Sequence, residues 1–186
     1  MPPLPESDHT ARILDDWARE QPELDTSPIA SIGRVLRAAR YFEREIELEL
    51  RRFDLSVHEF NALCALRRIG PPHRLTPTAL ADALLFTSGG LTKLLERLER
   101  AGLVSRERDE ADRRVLLVCL TDAGRARQAE AMGAHLRNEE ELLAPLAGEE
   151  REQLAELLRP LLVAFESAAG RARPRSRRAP LREEAA

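Results

Sequence analysis

The sequence predicts a mainly α-helical protein with a small β-hairpin wing, a winged helix-turn-helix carried between N- and C-terminal dimerisation helices. Three observations support that prediction. Between Leu75 and Leu120, two short helical patterns run into a Leu- and Val-rich strand, an Asp-x-x-Asp-Arg-Arg turn and a second apolar strand. Longer amphipathic helical patterns lie on both sides of that stretch, and they carry more apolar surface than one neighbour can cover. The charge is also segregated. The net charge is −3, yet from Arg67 to Arg127 twelve Lys/Arg stand against eight Asp/Glu, whereas Glu139, Glu140, Glu141, Glu149, Glu150, Glu152 and Glu156 make the later helices acidic. A helix-turn-helix with a cationic hairpin tip lays one helix in the DNA major groove and reaches for the neighbouring groove or backbone. The pattern therefore points to sequence-specific binding of double-stranded DNA.

Composition narrows the alternatives. With 186 residues, 43% hydrophobic and 33% charged, the chain has the make-up of a soluble globular protein with one substantial core. No apolar run approaches the roughly 18 to 20 residues that cross a bilayer. Met1-Pro-Pro-Leu-Pro5 lacks the basic and apolar regions of a signal peptide, so a cytoplasmic protein without membrane contact is expected. Cys64 and Cys119 are the only cysteines, and neither has a nearby Cys or His at zinc-finger spacing, so neither a disulfide framework nor a metal or cofactor is expected. An enzyme is not expected either, because no Gly-rich phosphate loop, metal-ligand cluster or Ser/His/Asp arrangement stands in a recognisable context.

The elements follow in order. Thr10 to Glu20 places Ile13, Leu14 and Trp17 on one helical face after a polar Ser7-Asp8 start, and Pro22 ends it. Ser27 followed by Pro28 starts a helix of about seven turns, whose Ile32, Leu36, Ala39, Phe42, Ile46, Leu50 and Phe53 recur at spacings of three or four. Val35 and Leu48 lie off that stripe, so a second subunit is a natural cover. Ser56 and Glu59 form a Ser-x-x-Glu capping box at the next helix start, with Phe60, Leu63, Cys64 and Ile69 on its buried side. Gly70-Pro71-Pro72 stops that helix, and a short loop leads to Arg74 or Leu75.

Thr76 and Pro77 restart a helix with Leu80, Ala81 and Leu84 inward, and a turn falls near Leu85 and Phe86. Thr87 or Ser88 caps the recognition helix, Leu91, Leu94, Leu95 and Leu98 face the core, and Gly102 supplies the left-handed residue beyond its end. Ser88, Gly89, Gly90, Thr92, Lys93, Glu96 and Arg97 remain outward. Small residues permit close approach, hydroxyls bond phosphates or bases, and Lys93 and Arg97 can contact phosphate or guanine. Thr76, Thr78, Thr87, Ser88, Gly89, Gly90, Thr92, Lys93 and Arg97 are the DNA-contact candidates on the two helices. The only lysine of the chain, Lys93, falls among them.

Leu103 to Arg108 and Val115 to Leu120 are the wing strands, with Arg113 and Arg114 as DNA contacts at the tip. Asp109 and Asp112 are expected to support the wing by holding one arginine while the other reaches DNA. Thr121-Asp122 caps a helix carrying Ala126, Ala129, Met132 and Leu136 to about Leu143. After a Pro145 to Gly148 turn, Leu154, Leu157, Leu158, Leu161, Leu162 and Phe165 describe a last amphipathic helix, and from Gly170 onward an arginine- and proline-bearing segment reads as a disordered basic tail. The expected organisation is thus residues 1–55 for dimerisation, 56–120 for DNA binding, 121–169 for dimerisation and 170–186 as tail. Two side readings stand beside it: Cys64 as a redox-sensing thiol, and a winged helix used only for protein contacts. His135 and Glu139, spaced i, i+4, read as solvated helix surface rather than a metal site.

The motifs Leu75-Thr-Pro-x-Ala-Leu-Ala81, Thr87-Ser-Gly-Gly-Leu-Thr-Lys93, Leu98-Glu-Arg-Ala-Gly-Leu-Val104, Asp109-x-x-Asp-Arg-Arg114 and Leu120-Thr-Asp-Ala-Gly124 resemble those of MarR-family transcriptional regulators. The resemblance covers roughly Pro28 to Ser167. It implies a homodimer, joined by its N- and C-terminal helices, that binds a pseudo-palindromic operator and usually represses nearby genes. The extra N-terminal helix with Trp17 is similar to the subgroup that includes urate-responsive regulators, in which a small anionic ligand sits between the N-terminal helix, the dimer helices and the DNA-binding lobe. That resemblance implies ligand contacts at Trp17, Asn61 and Arg106. Asn61 replaces an aspartate of the urate group and Leu94 replaces an arginine, so it implies a small organic effector other than urate, because a buried anion needs charge-assisted donors.

Overall fold

The structure, a computed structural model, describes residues 7–84 and 88–172, and the side chains of these except at 88, 89 and 169–172. Two compact units divide the chain at Leu142 and Leu143. The first begins with α1 (His9–Glu20), whose N-cap Asp8 accepts the Ala11 amide at 2.7 Å. Helix α1 packs on α2 (Ser27–Arg51) where Thr10 is buried against Gly33. A Cβ at Gly33 would stand 3.1 Å from the Thr10 methyl, so this close approach depends on glycine. Arg34 also donates to Asp8 at 2.7 Å, although both groups are half exposed and contribute little. Thr26 rather than Ser27 is the N-cap of α2. It makes no side-chain cap bond: Pro28 has no amide proton to offer, the Ile29 amide bonds to the Thr26 carbonyl at 3.0 Å, and Asp25 takes the Ser27 amide. The helix stops at Arg51, before Phe53, whose amide bonds to the Leu50 carbonyl in a tight turn.

Helix α3 (Val57–Arg68) starts at the expected capping box, with Ser56 Oγ accepting the Glu59 amide and Glu59 accepting the Ser56 amide. Its Phe60, Leu63 and Leu66 enter the main core together with Leu50, Leu55, Leu80, Leu91, Leu95, Leu98 and Val118. Each such side chain contributes about 1.5–3 kcal/mol relative to exposure. The loop expected after α3 contains a strand. Gly70, at φ +76°, reverses the chain, and β1 (Arg74–Leu75) pairs with Cys119 and Val118. A two-residue strand has no alternation to read, and only its distant partner defines it.

Helices α4 (Pro77–Leu84) and α5 (Ser88–Arg100) form the helix-turn-helix. Thr76 Oγ1 caps α4 by accepting the Ala79 amide at 3.2 Å. The turn expected near Leu85 and Phe86, and the candidate cap Thr87, lie outside the described residues. Gly102, at φ +70°, ends α5, and the Leu103 amide reaches back to the Leu98 carbonyl at 2.9 Å. Strands β2 (Val104–Arg108) and β3 (Leu116–Leu120) pair from Val104↔Leu120 to Arg108↔Leu116, and the sheet order is β1-β3-β2. The wing is therefore the outer part of a three-stranded antiparallel sheet whose middle strand is buried from Leu117 to Leu120.

Helix α6 (Asp122–Leu142) belongs to the same unit and packs on α2 and α3 through Ala131 and Ala134, small enough for close contact. The second unit contains α7 (Gly148–Ala172), which runs through Pro160. Gly170 to Ala172, expected in the tail, are helical; residues 173–186 lie outside the described residues. On α7, Leu157, Leu161, Leu162, Val163 and Phe165 are all exposed.

Candidate nucleic-acid interface

Helix α5 is amphipathic in the sense a groove-reading helix requires. Leu91, Leu94, Leu95 and Leu98 are buried, while Thr92, Lys93 and Glu96 are exposed and Gly90 is half-buried. Only the backbone of Ser88 and Gly89, the first turn of α5, is described, and Thr87 lies outside the described residues. Among the described residues no carboxylate pairs with Lys93, so its charge is available to an outside anion. On α4, Thr76 is committed as a cap and Thr78 is exposed.

Arg97 is engaged differently from the expected DNA contact. Its Nε lies 3.0 Å from Glu59 Oε1 and its Nη2 donates to Glu59 Oε2 at 3.2 Å. The Glu59 side chain is 5% exposed against 61% for Arg97. A buried carboxylate requires a counterion, and the arginine is turned inward to supply it.

The wing tip departs from expectation in the role of its acids. Asp109 Oδ1 accepts the amides of Ala111 and Asp112 at 2.9 and 3.0 Å, and Asp112 Oδ1 accepts the Arg114 amide at 3.0 Å. The two carboxylates thus fold the turn's backbone rather than hold an arginine side chain. Those amides keep the Asp109 carboxyl below the usual aspartate range, the Asp112 amide acting most strongly. Arg108 donates to the Arg113 carbonyl at 3.2 Å and braces the turn from the strand. Among the described residues the Arg113 and Arg114 guanidinium groups make no ion pair.

The three expected ligand residues lie on three separate elements. Trp17 is 41% exposed on α1, whose neighbour is α2, and Asn61 is exposed on α3. Arg106, on β2, lines a cleft of about 310 Å3 together with Pro77, Thr78, Asp82, Leu91 and Thr92, and neither Trp17 nor Asn61 contributes to it. Arg106 is 27% exposed, and Glu99 Oε2 stands 3.2 Å from its Nε. That carboxylate is at ion-pair distance without hydrogen-bond alignment, so the buried Nε and Nη2 have no acceptor among the described residues. Sequence reasoning missed both α5 carboxylate contacts. The Glu59 capping box was legible, but its second partner lies 38 residues on.

Cys64 is buried and receives the Gln128 amide at 3.5 Å; burial pushes its thiol up. Cys119 is shifted the same way, first by burial and then by Glu107. A raised thiol resists forming the thiolate that peroxide attacks, which weighs against redox sensing at Cys64. His135 Nε2 meets Glu139 at 3.2 Å, and its ring packs edge-on to Phe60. Among the described residues no group of three or more ligating side chains gathers, and no helix is long and apolar enough to cross a membrane.

Comparison with known proteins agrees with this geometry. A family model described as the MarR family matches residues 53–115. The HTH-type transcriptional regulator PecS of Dickeya dadantii is 36% identical over 146 residues, covering 78% of this chain and 88% of that protein. A mutant of MarR from Escherichia coli, solved complexed with operator DNA, is similar with a TM-score of 0.64 and 28% identity over 75% of this chain and 99% of that one. BpsR of Bordetella bronchiseptica, whose DNA binding is regulated by 6-hydroxynicotinic acid, gives a TM-score of 0.61 at 27% identity, covering 70% and 92%. With its helix-turn-helix, its three-stranded winged sheet and these relatives, the chain belongs to the MarR family of DNA-binding transcriptional regulators.

Proposed function

We propose that the protein is a homodimeric repressor that binds a pseudo-palindromic operator from the cytoplasm and is released by a small anionic organic ligand. The observation that carries the DNA-binding face is the set of outward cations, Lys93 on α5 and Arg113 and Arg114 on the wing, with no internal counterion among the described residues. Residues 56–120 then read DNA, with Thr78, Gly90, Thr92 and Lys93 facing the groove. Residues 1–55 and 121–169 join two copies. Exposed apolar side chains on α2 and α7, Ile32, Leu36, Leu157 and Phe165 among them, support that join.

The effector reading rests on the Arg106 cleft. Its volume is at the small end of ligand sites, its walls are mixed, and a buried guanidinium offers two unused donors. An organic carboxylate there competes with Glu99 for Arg106, and so acts on the seat of α5 against the wing. Binding then shifts the population of recognition-helix positions away from the spacing that fits two half-sites. The separation of Trp17 and Asn61 from this cleft supports an effector and pocket unlike those of the urate-responsive subgroup.

The test is fluorescence anisotropy on DNA from upstream of the protein's own gene and on scrambled DNA, across a salt series. Tight, salt-sensitive preference for the native fragment is expected, and replacing Arg113 and Arg114 by Ala should flatten the log-log salt slope by about 0.9 per lost phosphate contact. An unchanged slope removes the wing from the interface. Added organic acids should release DNA from the wild type but not from Arg106→Ala.

A further inference from the structure

The ion pair between Arg97 and Glu59 is placed where the recognition helix crosses the start of α3. Both oxygens of Glu59 are used: Oε2 accepts the Ser56 amide at 2.9 Å, the Ser56 hydroxyl at 2.7 Å and Arg97 Nη2 at 3.2 Å, while Oε1 faces Arg97 Nε at 3.0 Å. One carboxylate therefore caps α3 and grips α5. We propose that Arg97 is a positioning residue rather than a DNA contact, a clamp that sets the angle of the recognition helix on the lobe.

Three observations support the assignment. Arg97 meets Glu59 at two points, an aligned hydrogen bond from Nη2 to Oε2 at 3.2 Å and an ion-pair approach of Nε to Oε1 at 3.0 Å, so a directional contact is backed by a second charge contact. It lies nine residues beyond Ser88, about 13 Å along the helix, whereas base contacts come from the N-terminal residues of a recognition helix. Beneath it, Leu94, Leu95 and Leu98 are buried, and the hydrophobic effect that holds them down is non-directional. The clamp supplies the missing direction. It also adjoins the end of α2, because Arg97 and Ser56 line one open cleft with Glu47, Arg51, Asp54 and Leu55. The recognition helix is thereby tied to the junction from which the long helix departs.

The experiment compares Arg97→Gln, Glu59→Gln and the two combined, by amide hydrogen exchange of the free protein and by operator titration across salt. Arg97→Gln alone leaves a buried carboxylate without its counterion. Exchange across residues 88–100 should rise at least about tenfold, and operator affinity should fall with the salt slope unchanged. Adding Glu59→Gln removes the stranded charge and restores an amide-to-amide hydrogen bond, so much of the affinity should return. A slope flattened by about 0.9 with no rescue by Glu59→Gln would make Arg97 a phosphate contact and overturn the proposal. Unchanged exchange in α5 would overturn it as well. The affinity arm rests on the DNA-binding reading above. If the wild type shows no operator preference, that reading fails while the exchange arm still decides the clamp.

Discussion

The lobe from Leu55 to Leu120 and the long helices α2 and α7 are built on opposite principles. Among the described residues of the lobe most large apolar side chains are buried within the same chain, from Leu63 and Leu66 on α3 to Leu98 on α5 and Val118 on β3, and Ile69 is an exposed exception. On α2, Ile32, Val35 and Leu36 are exposed, and on α7 so are Leu157, Leu161, Leu162 and Phe165. The lobe is a finished core, whereas these helix faces are half of one. Apolar surface left open on that scale calls for a partner. The contrast separates what the chain does alone, which is shape a DNA-reading surface, from what the proposed dimer would add, which is a set distance between two such surfaces.

The lobe breaks most severely at its junction with α6. Thr121 Oγ1 accepts the Gly124 amide at 2.9 Å and donates toward the Gly102 and Leu103 carbonyls at 2.8 and 3.1 Å, so the start of α6 sits directly on the end of the recognition helix. A Cβ at Gly124 would stand 2.0 Å from the Leu103 carbonyl oxygen, a backbone atom that cannot rotate away. Gly124→Ala should therefore destabilise by about 3 kcal/mol, read as a lower urea midpoint, with operator binding lost at temperatures where the wild type is folded. A change below about 1 kcal/mol would mean that this junction opens freely and that the lobe is less finished than its core implies.

Charging the helix faces should give the reverse pattern. Leu161→Glu on α7 should weaken the dimer about 30-fold or more by sedimentation equilibrium, because truncating or charging a central anchor removes on the order of 2 kcal/mol or more. The urea midpoint of the lobe, measured on the monomeric variant, should barely move. Operator affinity should fall with the dimer, since one recognition helix reads only one half-site. If the variant stays dimeric, α7 is not the cover for its partner.

The same contrast explains how much was legible in the residues. Local signals transferred well: the Ser56 capping box, Pro77 at the start of α4, Gly102 after α5 and the two wing strands are each encoded within a few neighbouring residues. Long-range partners did not. Strand β1 exists only because β3 lies beside it, and Arg97 reads as a free cation until Glu59 is placed under it. The acids of the wing stand in the expected segment with a different partner, because an Asp-x-x-Asp-Arg-Arg string suggests ion pairs while the nearer backbone amides take the carboxylates first. Of the three residues expected at a ligand, Arg106 lines a cleft between α4, α5 and the wing sheet, while Trp17 and Asn61 stand on other elements, a placement that depends on tertiary packing and has no local signature in the sequence.

The smallest expected effect sharpens the comparison at the lobe's own edge, where no core exists. The wing turn is exposed and is held by hydrogen bonds to Asp109 rather than by packing. Asp109→Ala should leave the unfolding midpoint close to wild type and lower operator affinity only a few-fold, by disordering the tip that presents Arg113 and Arg114. The pH dependence has a definite sign. Because the Ala111 and Asp112 amides depress the folded-state value, the carboxylate's contribution is fully present above the ordinary aspartate value of about 3.8 and is lost as pH falls through the lower folded value. The Ala111 and Asp112 amide resonances should hold steady from neutrality to about pH 4 and move only in more acid solution. Movement between pH 5 and 7 would show that the turn is governed by another group and that the wing is not the self-contained hydrogen-bonded unit its geometry describes.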